Sequence, residues 1–101
     1  MQFLVTGRDG DDADALARRM AARAAHLELG DRMVAAGRHL FAVALLNDSG
    51  TMIGSVLIVD FASRVELDEW LAVEPYVTGD VWRSVDVQPV RVGPSFGRIG
   101  H

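Results

Sequence analysis

Two predominantly apolar runs, one from Arg38 to Leu46 and one from Met52 to Phe61, flank the turn signal Asn47-Asp48-Ser49-Gly50. β-branched and aromatic residues around a glycine-containing turn predict an antiparallel hairpin. In neither run do the apolar residues alternate with polar ones. His39, Phe41, Val43 and Leu45 point one way in an ideal strand, and Leu40, Ala42, Ala44 and Leu46 the other; Ile53, Leu57, Val59 and Phe61 likewise oppose Met52, Val56 and Ile58. Continuous apolar runs are the mark of strands covered on both faces. Few small folds can supply two covers.

The rest of the chain says which fold that is. Gln2–Thr6 reads as a short strand stopped by Gly7, and Asp9 to Asp14 offers helix N-cap residues and acids suited to the positive end of a helix dipole. An alanine-rich helical pattern from about Asp12 to Ala36, with a candidate break at Gly30, ends at Gly37 as its C′ residue. Ser63 and Glu66 form a capping-box pattern opening a second helix on Val65, Leu67, Trp70 and Leu71, and Pro75 ends it. Arg83 to Val92 is a last strand, where Pro89 implies an edge or a bulge. The order is β-α-β-β-α-β: an α+β, ferredoxin-like fold with a four-stranded antiparallel sheet and both helices on one face. Residues 1–92 make one domain and 93–101 a tail.

Two helices cover one sheet face, and nothing in 101 residues is left for the other. A bare apolar face exceeds what a soluble monomer usually shows, so a homodimer, sheet against sheet, is expected. The alternative is that Ala42, Ala44 and Gly54 simply face solvent.

Composition removes several function classes. Half of the residues are apolar and 24% charged, which suits a packed domain rather than disorder. No apolar run approaches the roughly 20 residues of a membrane-spanning helix, and the N-terminus lacks a secretory signal pattern, so a cytoplasmic protein without membrane contact is expected. There are no cysteines, and all ten basic residues are arginines, which excludes thiolate metal sites, a cysteine nucleophile and lysine Schiff-base chemistry. A formal charge of −4 argues against non-specific nucleic-acid binding.

On a helical wheel begun at Leu16, Met20, Leu27 and Val34 fall on one stripe, the expected sheet-facing side of the first helix. Arg23 lies inside that stripe, Arg19 beside it and His26 on its margin. A core-facing arginine needs a partner: an anion in a pocket, held by the guanidinium fork, or an ion pair with Glu74 or Asp60, or a stem that reaches out to water. His26 is the best acid–base candidate, set against the plain reading of a solvated helix histidine. His39 opens a strand and covers a sheet end; His101 is terminal. No histidine pair has helical metal-ligand spacing, so neither a metal nor a cofactor is expected. Ser49, Ser55 and Ser84 lack nucleophile-elbow glycines, and no phosphate loop is present. Pro75 turns Glu74 and Tyr76 to the space beyond the second helix, and a carboxylate beside a histidine can fix its tautomer.

Arg23-Ala24-Ala25-His26-Leu27 resembles the Arg-x-x-His-Leu segment of YciI-like proteins. Ala36-Gly37-Arg38, Phe61-Ala62-Ser63, Trp70-Leu71, Glu74-Pro75-Tyr76-Val77 with Gly79, and Val87-Gln88-Pro89-Val90 are similar to that family's other short segments, in order. The resemblance implies a dimeric α+β barrel, a fold also used by muconolactone isomerases and small monooxygenases. It further implies a link to dehydrochlorinases of chlorinated aromatic breakdown products, whose acid–base machinery is ascribed to a histidine–aspartate dyad. By position, His26 matches the histidine and Glu74 the aspartate, with one methylene more. Three functional expectations follow. The first is a cofactor-free acid–base lyase, dehydrochlorinase or isomerase for a small anionic cyclic or enolic substrate, with His26 and Glu74 catalytic and Arg23, Arg19 and Tyr76 binding it. The alternative is a non-catalytic small-molecule-binding or accessory module. The third is a cofactor-independent oxygenase.

Overall fold

The computed structural model describes residues 1–97. Its elements are β1 (Gln2–Asp9), α1 (Ala15–Ala35), β2 (His39–Leu46), β3 (Met52–Asp60), α2 (Arg64–Val73), α3 (Pro75–Thr78), β4 (Trp82–Val90) and a 3₁₀ turn at Pro94–Phe96. The strands form one antiparallel sheet in the order β2-β3-β1-β4, the ferredoxin-like βαββαβ arrangement. Pro89 sits on the edge strand β4, opposite Phe3. His101 lies outside the described residues.

Local chemistry explains where the elements begin and end. The amides of Gly37 and Arg38 donate to the carbonyls of Val34 and Met33 while Gly37 takes φ +73°, a Schellman ending that only a glycine adopts cheaply. Ser63 caps α2, its Oγ accepting from Glu66 N–H at 3.2 Å; Glu66 reaches back to the Ala62 amide rather than to that of Ser63. Pro75 does stop α2, but it also starts the one-turn helix α3, in keeping with proline's preference for the first helical position. Asp14 occupies the N-cap of α1 without a side-chain cap bond, and Asp12 instead binds Arg18.

The core lies between the sheet and the helices: Phe3, Val5, Leu57 and Val59 from the sheet meet Leu67, Trp70 and Tyr76. Each large side chain so buried contributes roughly 1.5–3 kcal/mol. The cross-strand pairs Phe3–Val59, Val5–Leu57 and Gly7–Ser55 face the helices, whereas Leu4–Ile58 and Thr6–Val56 face away.

Three expectations are corrected here. β1 does not stop at Gly7 but runs to Asp9, because Gly7 leaves room for the Trp82 indole: a Cβ there would lie 2.3 Å from its ring. α1 is unbroken at Gly30. The expected buried stripe of α1 is its exposed one, with Leu16 42%, Met20 52%, Leu27 46% and Val34 62% accessible. The inner face is instead Arg19, Ala22, His26, Leu29 and Met33, in steps of three and four. A wheel that scores hydrophobicity misplaces this face because α1 closes over polar groups along half its length. A register shift between His39 and Phe41 also turns His39 onto the helix side, opposite Val59, while Phe41 and Val43 join Ile58 and Val56 on the open side.

Candidate active site

The cleft between α1 and β2 holds a cavity of about 220 Å³ lined by Arg19, Arg23, His26, Tyr76 and Ser55, with Leu27, Ala42, Ala44, Met52 and Leu57 supplying apolar wall. All five expected site residues meet here. Three line it directly on α1, Tyr76 closes its inner side from α3, and Glu74 stands behind His26.

Glu74 and Tyr76 do not point beyond the second helix as expected; both are core residues, 0% and 1% exposed. Pro75 bends the chain so that the residues on either side of it turn inward. The carboxylate Oε1 of Glu74 accepts from His26 Nδ1–H and from the Tyr76 amide, the latter at 3.2 Å. Glu74 Oε2 is buried with no hydrogen-bond partner among the described residues. An ionised carboxylate can only accept, so the bond assigns the proton of neutral His26 to Nδ1 and leaves Nε2 with its lone pair. His26 lies flat on the Tyr76 ring, 3.8 Å between centroids and 8° between planes, and Trp82 stands edge-on to both. The imidazole is therefore held by a hydrogen bond at one end and by a ring across its face.

The two arginines differ sharply. Arg19, expected beside the buried stripe, is the buried one, 3% exposed; Nη1 donates to both carboxylate oxygens of Asp9 at 3.0 and 3.1 Å, and Nη2 donates to Ser55 Oγ at 2.9 Å. Its guanidinium lies 4.7 Å from the centroid of Tyr76. Arg23, expected to be buried, is exposed at the cavity rim. Neither partner foreseen for it is available, since Glu74 binds His26 and Asp60 binds the N-terminal amine. Among the described residues Arg23 has no carboxylate within ion-pair distance.

Burial pushes the Tyr76 phenol up from its ordinary value, opposed by Arg19 and Arg23, so the hydroxyl stays neutral and is no base at ordinary pH. His39, packed edge-on against Trp70, is pushed down to about 4 by desolvation, with Glu74 opposing the shift and His26 adding to it. Asp9, Ser55 and Trp82 were not among the expected site residues. Ser55 carried a usable signal, a hydroxyl inside an apolar strand; Asp9 was hidden among the four aspartates from Asp9 to Asp14 that read as helix caps.

Comparison with known proteins shows the family. The YCII-related domain matches residues 1–91. The protein YciI of Escherichia coli O6:H1 is 33% identical over 87 residues, covering 80% of this chain and 89% of that one, and YciI of Shigella flexneri matches equally. Among solved structures, the 5-chloro-2-hydroxyhydroquinone dehydrochlorinase TftG of Burkholderia phenoliruptrix AC1100, in complex with 2,5-dihydroxybenzoquinone, superposes with a TM-score of 0.80 at 23% identity, covering 94% of this chain and 98% of that one. That likeness shows a shared fold. With its domain match, its YciI relatives and the sheet order described above, the chain belongs to the family of YCII-related domain proteins.

Proposed function

We propose that this chain is a cofactor-free acid–base enzyme of lyase or isomerase type, acting on a small anionic cyclic or enolic substrate. The observation that carries the reading is the buried Glu74 carboxylate bonded to His26 Nδ1 at the wall of an open cavity. Such a carboxylate fixes the tautomer and stabilises the imidazolium formed when Nε2 takes a proton. His26 Nε2 removes a proton from a carbon next to a carbonyl or enol; the electron pair moves to the oxygen or expels a leaving anion, and the imidazolium later returns its proton. Arg23, exposed and without a carboxylate partner, holds the substrate's negative charge. Arg19 is already neutralised by Asp9, so it acts from behind, fixing Tyr76, which in turn holds the imidazole plane. That TftG is a dehydrochlorinase crystallised with a quinone is in keeping with an elimination or isomerisation on this fold.

The same reading includes a homodimer. Leu4, Val56 and Ile58, with the exposed Phe41 and Val43, face away from both helices. An apolar sheet face of this kind is covered economically by its own copy.

The test is solvent deuterium exchange. A panel of cyclic enolic acids, beginning with 2,5-dihydroxybenzoquinone, is incubated with the protein in D₂O and followed by NMR. Catalysed exchange lost by 10²-fold or more in His26→Gln is the expected result, within the ordinary range for a general base. Saturable binding without exchange would favour a ligand-binding module instead.

A further inference from the structure

The cleft that holds His26 does not end there. Beyond the imidazole a second recess of about 160 Å³ continues between the C-terminal half of α1 and the start of β2. The two recesses share His26, Leu27, Ala42 and Leu57, so they are one cleft with His26 and Leu27 at its waist. Their chemistry differs. The first carries Arg19, Arg23, Tyr76 and Ser55, whereas the second is walled mainly by Gly30, Val34, Leu40, Phe41 and Leu57, with His39 and Asp31 as its polar lining besides His26.

Gly30 singles out the second recess. Glycine inside a helix costs about 1 kcal/mol relative to alanine, yet a Cβ built at Gly30 meets nothing within 4 Å among the described residues. Neither backbone conformation nor close packing requires glycine at this position. What its missing side chain leaves is room in the groove. A cavity of roughly 150 Å³ with aliphatic walls accepts a benzene ring.

We propose that this second recess is a subsite for the apolar part of the ligand. The site takes an extended organic anion: its charged, reacting ring lies between Arg23 and His26, and a second ring or a branched chain of about six carbons lies over Gly30 against Val34 and Leu40. This rests on the anion-holding reading of the first recess given above. Charge sets the direction, because Arg23 in the first recess attracts the anionic end and Asp31 in the second repels it. A single-ring acid fills only half of the cleft.

The experiment uses the full ¹⁵N-labelled chain titrated with benzoate, 4-phenylbutyrate and biphenyl-4-carboxylate. At least one of the longer acids is expected to bind tenfold or more tighter than benzoate. Gly30→Leu, which fills the recess from a half-buried position on the helix, should cancel that gain and leave benzoate affinity within twofold. Gly30→Ala serves as the milder variant, with a raised melting temperature and a partial loss of the gain. Equal affinity for all three acids, or a gain that survives Gly30→Leu, would overturn the subsite. So would a change in sedimentation mass on Gly30→Leu, which would give the groove to a second copy of the chain. Arg23→Gln separates the two readings. Uniform weakening of all three acids supports the anion site; a Gly30-dependent gain with affinity indifferent to Arg23 overturns the anion site alone. No binding by any acid overturns both.

Discussion

His26 Nδ1 donates to Glu74 Oε1 across 48 residues of sequence, joining the middle of α1 to the N-cap of α3. The carboxylate is fully buried while the imidazole keeps one edge toward the cavity. The pair thus ties a carboxyl group in the core to a ring that can meet a ligand.

Removing the charge of Glu74 should separate stability from activity. Its Oε2 has no partner among the described residues, and burying a carboxylate costs more than burying an amide. Glu74→Gln is expected to keep or raise stability in urea unfolding, by up to about 1 kcal/mol, while deuterium exchange falls 10²-fold or more. A loss of several kcal/mol would show that the pair is structural.

The Arg19–Asp9 pair should behave in the opposite way. Both side chains are almost fully buried. Asp9→Ala leaves the guanidinium unpaired and should cost about 3–5 kcal/mol, read by denaturant melts. The double variant Asp9→Leu with Arg19→Met should recover most of that loss. Strict additivity of the two single changes would contradict a direct pair.

His39 gives the fold an acid-labile point. Its folded pKa of about 4 lies below the ordinary histidine value of 6.5, so the unfolded chain binds more protons between those two values. The contribution of a neutral His39 is complete above 6.5 and is lost as pH falls toward 4. From pH 7.5 to 5 the protein should lose roughly 2 kcal/mol through this residue. His39→Phe should flatten that part of the profile, and identical slopes for the two proteins would refute the assignment.

The open sheet face makes its own prediction. Ile58 is half-buried there between Leu4 and Phe41. Ile58→Glu should yield a folded monomer by sedimentation, with wild-type chain running as a dimer. A monomeric wild type would remove the dimer from the reading.

Much of this was legible in the residues. The hairpin, both main helices and the ferredoxin-like element order followed from periodicity and turn residues, and His26, Glu74, Arg19, Arg23 and Tyr76 stood out as candidates, but their meeting in one place is visible only in the folded chain. What was not legible has one physical cause. The inner face of α1 is written in Arg19, Ala22 and His26, which a hydrophobic wheel treats as outer residues, because their burial depends on Asp9, Ser55 and Glu74 arriving from other elements. The shift at His39 is of the same kind: no residue in β2 announces it, and it depends on how that strand pairs with β3.

The acid–base role of His26 turns on the position of one proton. Long-range ¹H–¹⁵N correlation of the His26 ring, recorded at about pH 9 and so above the ordinary histidine range, reports which nitrogen is protonated. Bonding to Glu74 predicts a protonated Nδ1 and a bare Nε2, converted in Glu74→Ala to the opposite tautomer. A protonated Nε2 in the wild-type protein would mean that His26 has no lone pair to offer the cavity, and the acid–base reading would fall.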